Sequence, residues 1–243
     1  MSYIRKILEA GSMLPFVSTV LPFVKRSLSP EQQLRLDLVQ YGRMLHAQGF
    51  VAATDGNLSI RLSNDRVLVT PTGFSKGMMQ SEDMVVVNMA GEKVIGDCKP
   101  TSEIAMHLTI YKMRPDVGAV VHAHPCTATA FASAGIALDQ ALCSEIVITL
   151  GAVPLAPYAT TGTRELSDSL KPFIPWHDAI LMANHGVVTY GVDLQQAYMR
   201  MESVEHYAKI VLAARQLGCA KTLPTRELEK LHEVRSRYVK RAR

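Results

Sequence analysis

The sequence lacks any closely spaced pair of cysteines. Its four cysteines, Cys98, Cys126, Cys143 and Cys219, lie far apart and form no C-x-x-C pair. A disulfide framework and a cysteine zinc site both need paired cysteines, so the spacing argues against both. We therefore expect a reducing compartment, the cytoplasm.

A strong excess of either charge is also missing. The net charge is only +4 over 243 residues, and the 48% hydrophobic and 20% charged residues are ordinary for a soluble globular enzyme. The basic residues from Arg235 to Arg243 are typical of a solvated helix end. Because no basic patch interleaved with aromatics occurs elsewhere, we predict no nucleic-acid partner.

The N-terminal apolar run is too short to cross a bilayer. It extends from Met13 to Val24 and is interrupted by Pro15 and Pro22. No small-residue cleavage site follows it, which argues against a signal peptide. We predict no membrane span, and we expect residues 1–28 to form an extension that packs on the body of the protein or on a neighbouring subunit. Association with a surface or membrane is the alternative.

Residues 29–243 contain no internal repeat and no linker, and they predict one α/β domain. Several predicted strands are joined by turns too short for a crossover helix, so part of the sheet must be antiparallel. A capping box at Ser29 starts the first helix, Thr101 or Ser102 caps the second, and Asp193 caps a long amphipathic helix. The predicted helices cover residues 30–47, 102–114, 127–134, 164–171, 194–217 and 226–240. The predicted strands cover residues 58–62, 66–70, 84–89, 118–124, 145–150, 153–156 and 179–184, the last continuing through 187–190.

Three histidines are candidate metal ligands. His122 and His124 are two residues apart on a predicted strand, so their imidazoles point to the same face. His185 follows another buried strand, at a position where sites are commonly built. Three histidines with one open position are the arrangement of a catalytic zinc. A core or turn histidine is the alternative for each residue taken alone.

Glu103 is the candidate acid/base. It lies in the first turn of a predicted helix, where the helix N-terminus stabilises a negative charge. Such a glutamate can fill the fourth position on a metal and then swing away to take a proton; a plain capping role is the alternative. His107 lies one turn further on the same face, and it is either a rival ligand or, as we favour, a residue that packs or orients a neighbour.

Three short motifs have the composition of an anion cradle. Each lies at a turn or helix start, where backbone N–H groups and polar side chains are available for a phosphate. None is specific alone, and the signal is that all three accompany the metal candidates. The motifs are Gly56-Asn57, Thr72-Gly73 and Thr101-Ser102.

At these residues the chain resembles the class II aldolase/adducin-head family, of the L-fuculose-phosphate aldolase type. The resemblance covers roughly residues 30–240. It rests on six ordered motifs: residues 54–59, 70–73, 100–103, 122–124, 156–158 with 162–166, and 184–186.

The resemblance implies a three-layer α/β/α domain around a largely antiparallel sheet, in a homotetramer with active sites at subunit interfaces. His122, His124 and His185 would hold one zinc ion per subunit, with Glu103 as alternate ligand and catalytic acid/base. The substrate phosphate would bind Gly56, Asn57, Thr72, Gly73, Thr101 and Ser102.

The implied reaction is reversible aldol cleavage of a ketose 1-phosphate, such as L-fuculose 1-phosphate, to dihydroxyacetone phosphate and an aldehyde. Zinc would stabilise the enediolate as a Lewis acid, and Glu103 would exchange the proton on its carbon. One departure concerns a tyrosine that the family places after the HxH strand, because residues 136–146 contain none. Tyr238 matches a second family tyrosine and is expected to reach a site, its own or a neighbour's. The altered segment leaves open another aldehyde, such as that from a 5-deoxypentulose phosphate.

Several alternatives share this site. A pentulose-5-phosphate 4-epimerase would carry aspartate in place of Glu103 and a second aspartate after the HxH strand, where this chain offers only Glu145. A methylthioribulose-phosphate dehydratase or a sugar-acid phosphate decarboxylase would have a similar metal site. A non-catalytic interaction module on the same fold could lose its histidines, whereas this chain has all three.

Overall fold

The computed structural model describes residues 28–238, so the predicted extension over residues 1–28 lies outside it except for its last residue. None of the helices in this range is long and apolar enough to cross a membrane. The helices are α1 (Pro30–Ala47), α2 (Ile104–Met113), α3 (Cys126–Ser133), α4 (Ser144–Thr149), α5 (Arg164–Leu170), α6 (Leu194–Gln216) and α7 (Thr225–Tyr238). The strands are β1 (Asn57–Arg61), β2 (Arg66–Val69), β3 (Val85–Asn88), β4 (Lys93–Ile95), β5 (Ala119–Ala123), β6 (Leu155–Ala156), β7 (Ala179–Met182) and β8 (Gly186–Gly191).

The eight strands form one sheet in the order β4-β3-β2-β1-β5-β8-β7-β6. Neighbouring strands are antiparallel except for the β6–β7 pair, which is parallel. The predicted α/β domain with a largely antiparallel sheet is confirmed.

Helices cover both faces of this sheet and make the domain three-layered. One core lies between the sheet and α1, α3 and α6, and the other lies between the sheet and α2 and α5. Along β5, Ala119 and Val121 belong to the first core and Val120 to the second, because successive side chains of a strand alternate between faces. His122 therefore points to the α2 side.

The same alternation on β1 sets up the site. Leu58 and Ile60 pack in the α1/α6 core, so Asn57 and Ser59 face α2. Since β1 pairs with β5 and opposes Asn57 to His122, these polar residues and the first histidine lie side by side on the α2 face.

Two predicted helix starts are confirmed, and one is shifted. Ser29 and Gln32 form a capping box, with Gln32 N donating to Ser29 Oγ at 3.2 Å. Asp193 caps α6 by accepting from Gln196 N at 2.7 Å. The cap of α2 is Glu103 rather than Thr101 or Ser102, and its carboxylate does not bond the helix end. The reason is that this carboxylate turns toward the sheet.

The strand predicted over residues 145–150 is wrong, because the segment forms α4. Its β-branched run is typical of a strand, but Leu138 and Val153 exchange backbone hydrogen bonds at 3.0 and 3.1 Å. The segment between them is a loop whose two ends are paired. A short helix fits in this loop and buries Ile146 and Val147. Arg235 of α7 donates to Ile148 O at 2.8 Å at the end of this helix, so Arg235 is not simply a solvated tail residue.

A second correction concerns the predicted continuation from residue 184 to 187–190. The chain instead reverses, and β7 and β8 pair as an antiparallel hairpin that opposes Met182 to Gly186. Asn184 has a φ of 55°, a left-handed conformation that asparagine tolerates better than most residues. This turn places His185 at the tip of the hairpin. The short, exposed strand β4 was not predicted.

Glu205 of α6 provides a stability test, because it caps α3 from a distance. Its carboxylate is buried and accepts from Thr127 N at 3.2 Å and Ala128 N at 2.9 Å. We expect Glu205→Ala to lower the free energy of unfolding by about 1–3 kcal/mol, because two buried N–H groups lose their acceptor. Urea unfolding measures it, and Glu229→Ala on the exposed face of α7 is the control. Equal stability of both variants would contradict the capping role.

Candidate metal centre and anion cradle

The three candidate histidines converge at one edge of the sheet. His122 is in β5, His124 follows two residues later, and His185 lies in the turn before β8, the neighbour of β5. One ring nitrogen from each lies within 4.8 Å of those of the other two. Strand pairing therefore assembles ligands that are far apart in the chain.

The ring orientations suit a metal ion. His122 Nδ1 donates to Val187 O at 2.9 Å, which leaves the Nε2 lone pair facing the cluster. His122 Nε2 and His124 Nε2 are 3.1 Å apart, close to the ~3.3 Å that separates two nitrogens on a tetrahedral zinc. His124 Nδ1 lies 3.5 Å from Asp55 Oδ2, a carboxylate that helps to orient the ring. A Cβ on Gly186 would come within 2.5 Å of His124 Cδ2, so the turn leaves no room for a larger residue.

Glu103 lies between the histidines. Its Oε2 is 3.2 Å from His122 Nε2, and its Oε1 is 3.3 Å from His185 Nε2. Glu103 Oε1 and His185 Nδ1 are buried and have no hydrogen-bond partner within the described range. Buried polar atoms are nearly always partnered, so this pair beside three convergent nitrogens fits a divalent cation. Three imidazoles suit several such metals and do not by themselves select zinc.

Electrostatics favour the same conclusion. Burial alone would raise the pKa of Glu103, but the charges of His122 and His185 and their close contacts with the carboxylate hold it well below its usual range. Burial, reinforced by the charges of His122 and His185, lowers the pKa of His124 to about 4. Glu103 is therefore ionised and His124 neutral at pH 7, as a cation needs. Burial would lower the pKa of His122, but the charge of Glu103 and the contacts with Glu103 and Val187 raise it, so a bound cation would displace a proton from that ring.

A cavity of about 320 Å³ opens beside the histidines. The structure brings all six predicted cradle residues to its wall, together with Glu103, His124 and His185. Five further residues of the wall were not predicted as site residues, although they lie in or beside the sequence motifs of the resemblance. They are Thr54, Asp55, Pro71, Thr161 and Gly162.

The cradle offers fewer free backbone donors than the sequence suggested. Thr72 N donates to Lys99 O at 3.0 Å, and Thr101 N donates to Thr70 O at 3.2 Å. These two N–H groups hold the loops together, so Thr72 and Thr101 contribute hydroxyls to a ligand rather than amides.

Lys76 is a buried residue of the cradle that sequence reasoning missed. Its Nζ donates to Thr54 O at 3.1 Å and also to Phe74 O, so it ties together the two loops that carry the first two cradle motifs. Burial lowers its pKa to about 8, partly opposed by Asp55. A lysine in a glycine-rich loop is normally exposed, and nothing in the local sequence signals its burial.

His107 orients a neighbour, as favoured from the sequence. Its Nε2 lies 2.5 Å from Asn57 Oδ1, and its Nδ1 lies 2.7 Å from Ser59 Oγ. Because both ring nitrogens have partners, the rival interpretation of His107 as a metal ligand is wrong. Asn57 in turn donates from Nδ2 to Glu103 Oε2 at 2.8 Å and keeps its second N–H for a ligand.

Tyr238 is the last residue of α7, and its side chain lies outside the described part of the chain. Its predicted catalytic role stays a prediction.

Comparison with known proteins identifies the family. The family described as "Class II Aldolase and Adducin N-terminal domain" matches residues 36–212. The chain belongs to this family. With the histidine triad, membership makes it a metal-dependent sugar-phosphate enzyme of the class II aldolase superfamily.

Its relatives carry two kinds of name. A 3-oxo-tetronate 4-phosphate decarboxylase of Pectobacterium atrosepticum is 35% identical over 76% of this chain and 86% of its own length. A 5-deoxy-D-ribulose 1-phosphate aldolase of Bacillus thuringiensis is 34% identical over 82% of this chain and 94% of its own. Among solved structures, an L-fuculose 1-phosphate aldolase is 33% identical, covers 85% of this chain and 96% of its own, and superposes with a TM-score of 0.78.

The metal centre is tested by removing one ligand. We expect His122→Ala to lower the bound divalent metal well below one ion per chain, because the centre loses a fully buried imidazole whose Nε2 lies 3.2 Å from Glu103 Oε2. Elemental analysis of purified protein measures this. His206→Ala, on the exposed face of α6, should keep its metal. Full metal content in His122→Ala would remove His122 from the ligand set.

Proposed function

We propose that the protein is a zinc-dependent aldolase that reversibly cleaves a ketose 1-phosphate to dihydroxyacetone phosphate and an aldehyde. The observation that carries the proposal is the position of Glu103. Its carboxylate is fixed by Asn57 between His122 and His185, at the wall of a cavity lined by hydroxyls and turn residues. A base beside a metal centre and an anion site is what proton exchange next to a phosphorylated ketone requires.

Each group has a distinct task. His122, His124 and His185 would hold the metal, which when bound supplies Lewis-acid stabilisation of negative charge on substrate oxygen. Gly56, Gly73 and the Thr72, Thr101 and Ser102 hydroxyls would bind the phosphate and fix the reacting carbons near Glu103. In cleavage, Glu103 takes the proton of the C4 hydroxyl as the bond between C3 and C4 breaks and C4 becomes the aldehyde carbon. The electron pair of that bond stays on C3 as an enediolate, and Glu103 returns the proton to C3. In synthesis, Glu103 removes the same proton.

A decarboxylase is the second candidate, because 3-oxo-tetronate 4-phosphate decarboxylases are among the relatives. Loss of carbon dioxide from a 3-oxo-tetronate 4-phosphate also leaves the enediolate of dihydroxyacetone phosphate. The groups that stabilise and protonate this enediolate are the same in both reactions. Only the departing fragment differs, an aldehyde or carbon dioxide.

Within the aldolase proposal, a short apolar aldehyde is favoured. A 5-deoxy-D-ribulose 1-phosphate aldolase covers 82% of this chain, whereas an L-fuculose phosphate aldolase of Methanococcus maripaludis covers 72%, both at 34% identity. The epimerase alternative is disfavoured because Glu145 lies on the exposed face of α4 and is not part of the cavity wall. The presence of all three histidines and Glu103 argues against a non-catalytic module.

The proposal includes a cytoplasmic homotetramer with sites at subunit interfaces. Large exposed apolar side chains on the described surface support an assembly: Met78, Trp176, Met199 and Leu217 are each more than half exposed. Tyr238 would reach a site in that assembly.

The deciding experiment is a product assay with the metal-loaded protein. The panel contains 5-deoxy-D-ribulose 1-phosphate, L-fuculose 1-phosphate, a 3-oxo-tetronate 4-phosphate and a pentulose 5-phosphate. We expect dihydroxyacetone phosphate and an aldehyde from one of the first two. Carbon dioxide from the third alone would select the decarboxylase, and inversion at C4 of the fourth without cleavage would select the epimerase.

Glu103 is tested by a half-reaction that needs no aldehyde. Wild-type protein should wash deuterium from D2O into dihydroxyacetone phosphate, and Glu103→Gln should slow this about 100- to 10,000-fold, since the general base is lost. Metal content should not change, because the three histidines remain. Glu145→Gln is the matched control and should exchange at the wild-type rate. Undiminished exchange in Glu103→Gln would remove Glu103 from the mechanism.

A further inference from the structure

A ladder of polar side chains joins β1 to α2 beneath the site. On β1 the members are Asn57, Ser59 and Arg61, which are two residues apart and share a face. On α2 and its cap the members are Glu103, His107 and Tyr111, which are four residues apart and share a face. A step of two residues along the strand advances about 6.7 Å, and a step of four residues along the helix advances about 6.0 Å. The side chains of the two series therefore remain opposite each other over three pairs.

The contacts follow this spacing. Asn57 bridges Glu103 and His107, with 2.8 Å from Nδ2 to Glu103 Oε2 and 2.5 Å from Oδ1 to His107 Nε2. Ser59 Oγ bridges His107 Nδ1 at 2.7 Å and the Tyr111 hydroxyl at 2.8 Å. The Arg61 guanidinium lies 4.7 Å from the Tyr111 ring centre.

All bond directions follow from the ionised carboxylate. A carboxylate only accepts, so Asn57 must present Nδ2 to Glu103 and Oδ1 to His107. His107 must therefore carry its proton on Nε2, and Nδ1 must accept from the Ser59 hydroxyl. The Ser59 oxygen then accepts from Tyr111. The series of hydrogen bonds therefore runs in one direction, from Tyr111 to Glu103 Oε2.

We propose that His107 is a positioning residue: it holds the Asn57 amide in the one orientation that can fix the Glu103 carboxylate beside the metal ligands. The proposal rests on the proposed role of Glu103 as the base. His107 does not touch the cavity, because its ring is fully buried and it is not part of the wall. It acts through Asn57, which is part of the cavity wall.

The hydrogen-bonded side chains are buried, which restricts the Asn57 amide to this one orientation. Asn57, Ser59, His107 and Tyr111 are each at most 4% exposed, so no water replaces a lost partner. Burial, with the charge of His122 and against the charge of Glu103, lowers the pKa of His107 to about 3. His107 stays neutral at working pH, with one nitrogen as donor and one as acceptor.

Two amides of different length at position 107 give the sharpest test. In His107→Gln the amide nitrogen can occupy the place of Nε2 and donate to Asn57. In His107→Asn the shorter amide reaches only the Ser59 side. Both keep a buried amide, so they share the cost of losing the ring.

We expect His107→Asn to lower the rate constant of deuterium wash-in about 10- to 100-fold, as for a misplaced catalytic group, with KM changed less than threefold. The rate constant of His107→Gln should be at least tenfold higher than that of His107→Asn. Metal content and melting temperature of both variants should match each other. Ser59→Ala, which keeps the ring but removes the donor to Nδ1, should shift the rate in the same direction and serves if an amide variant fails to fold.

The histidine tautomer is measured separately by nitrogen-15 NMR of histidine-labelled, metal-loaded protein. We expect His107 to be the Nε2–H tautomer at pH 7, and to lose that preference in Ser59→Ala. An Nδ1–H tautomer in wild type would overturn the proposal whatever the protein catalyses. Equal rates in His107→Asn and wild type, or no difference between His107→Asn and His107→Gln, would also overturn it. Absence of any exchange in wild type would instead reject the proposed function, and the tautomer measurement would still decide the ladder.

Discussion

The structure depends on one buried carboxylate that must stay ionised. Glu103 is 9% exposed, and its carboxylate lies between two imidazoles and an amide at the wall of the cavity. An ionised carboxylate in such a place requires compensating donors or a cation, because transfer from water is otherwise too costly. The three histidines, with the cation they would hold, compensate the charge on one side, and the amide of Asn57 donates a hydrogen bond to it on the other. The surrounding polar groups lie where they do because they complete that compensation.

This constraint explains why the site could be predicted better than the segments around it. The alternation of Leu58, Ser59 and Ile60 and the spacing of His122 and His124 are local and periodic, so they predict which face each side chain takes. The fate of residues 145–150 depends on the pairing of Leu138 with Val153, which the local sequence does not show. The reversal at Asn184 depends on a left-handed backbone that an apolar run does not signal. The burial of Lys76 depends on the carbonyls of Phe74 and of Thr54, which is 22 residues away. The local hydrophobic pattern signals none of these outcomes.

The relatives of this chain include both aldolases and decarboxylases. The two reactions differ in the substrate fragment that leaves and share the fragment that stays in the site. In both proposed reactions the metal ligands, Glu103 and the cradle would act on the three-carbon phosphate that remains in the site. Divergence of the reaction would therefore need changes only where the departing fragment binds, while the buried network under Glu103 can stay the same.

The hairpin of β7 and β8 has a consequence for how the domain holds together. His185 at its tip and His122 in β5 are distant in sequence, and the adjacent backbone contact from His122 to Val187 spans 65 residues. An ion shared by the two would act as a cross-link closing a loop of about sixty residues, which restricts the unfolded chain more than a short loop would. The ion would also fasten one end of the hairpin to the middle of the sheet. Local separation of the β7–β8 hairpin from β5 would then require release of the ion, so amide exchange in these strands would report on metal occupancy.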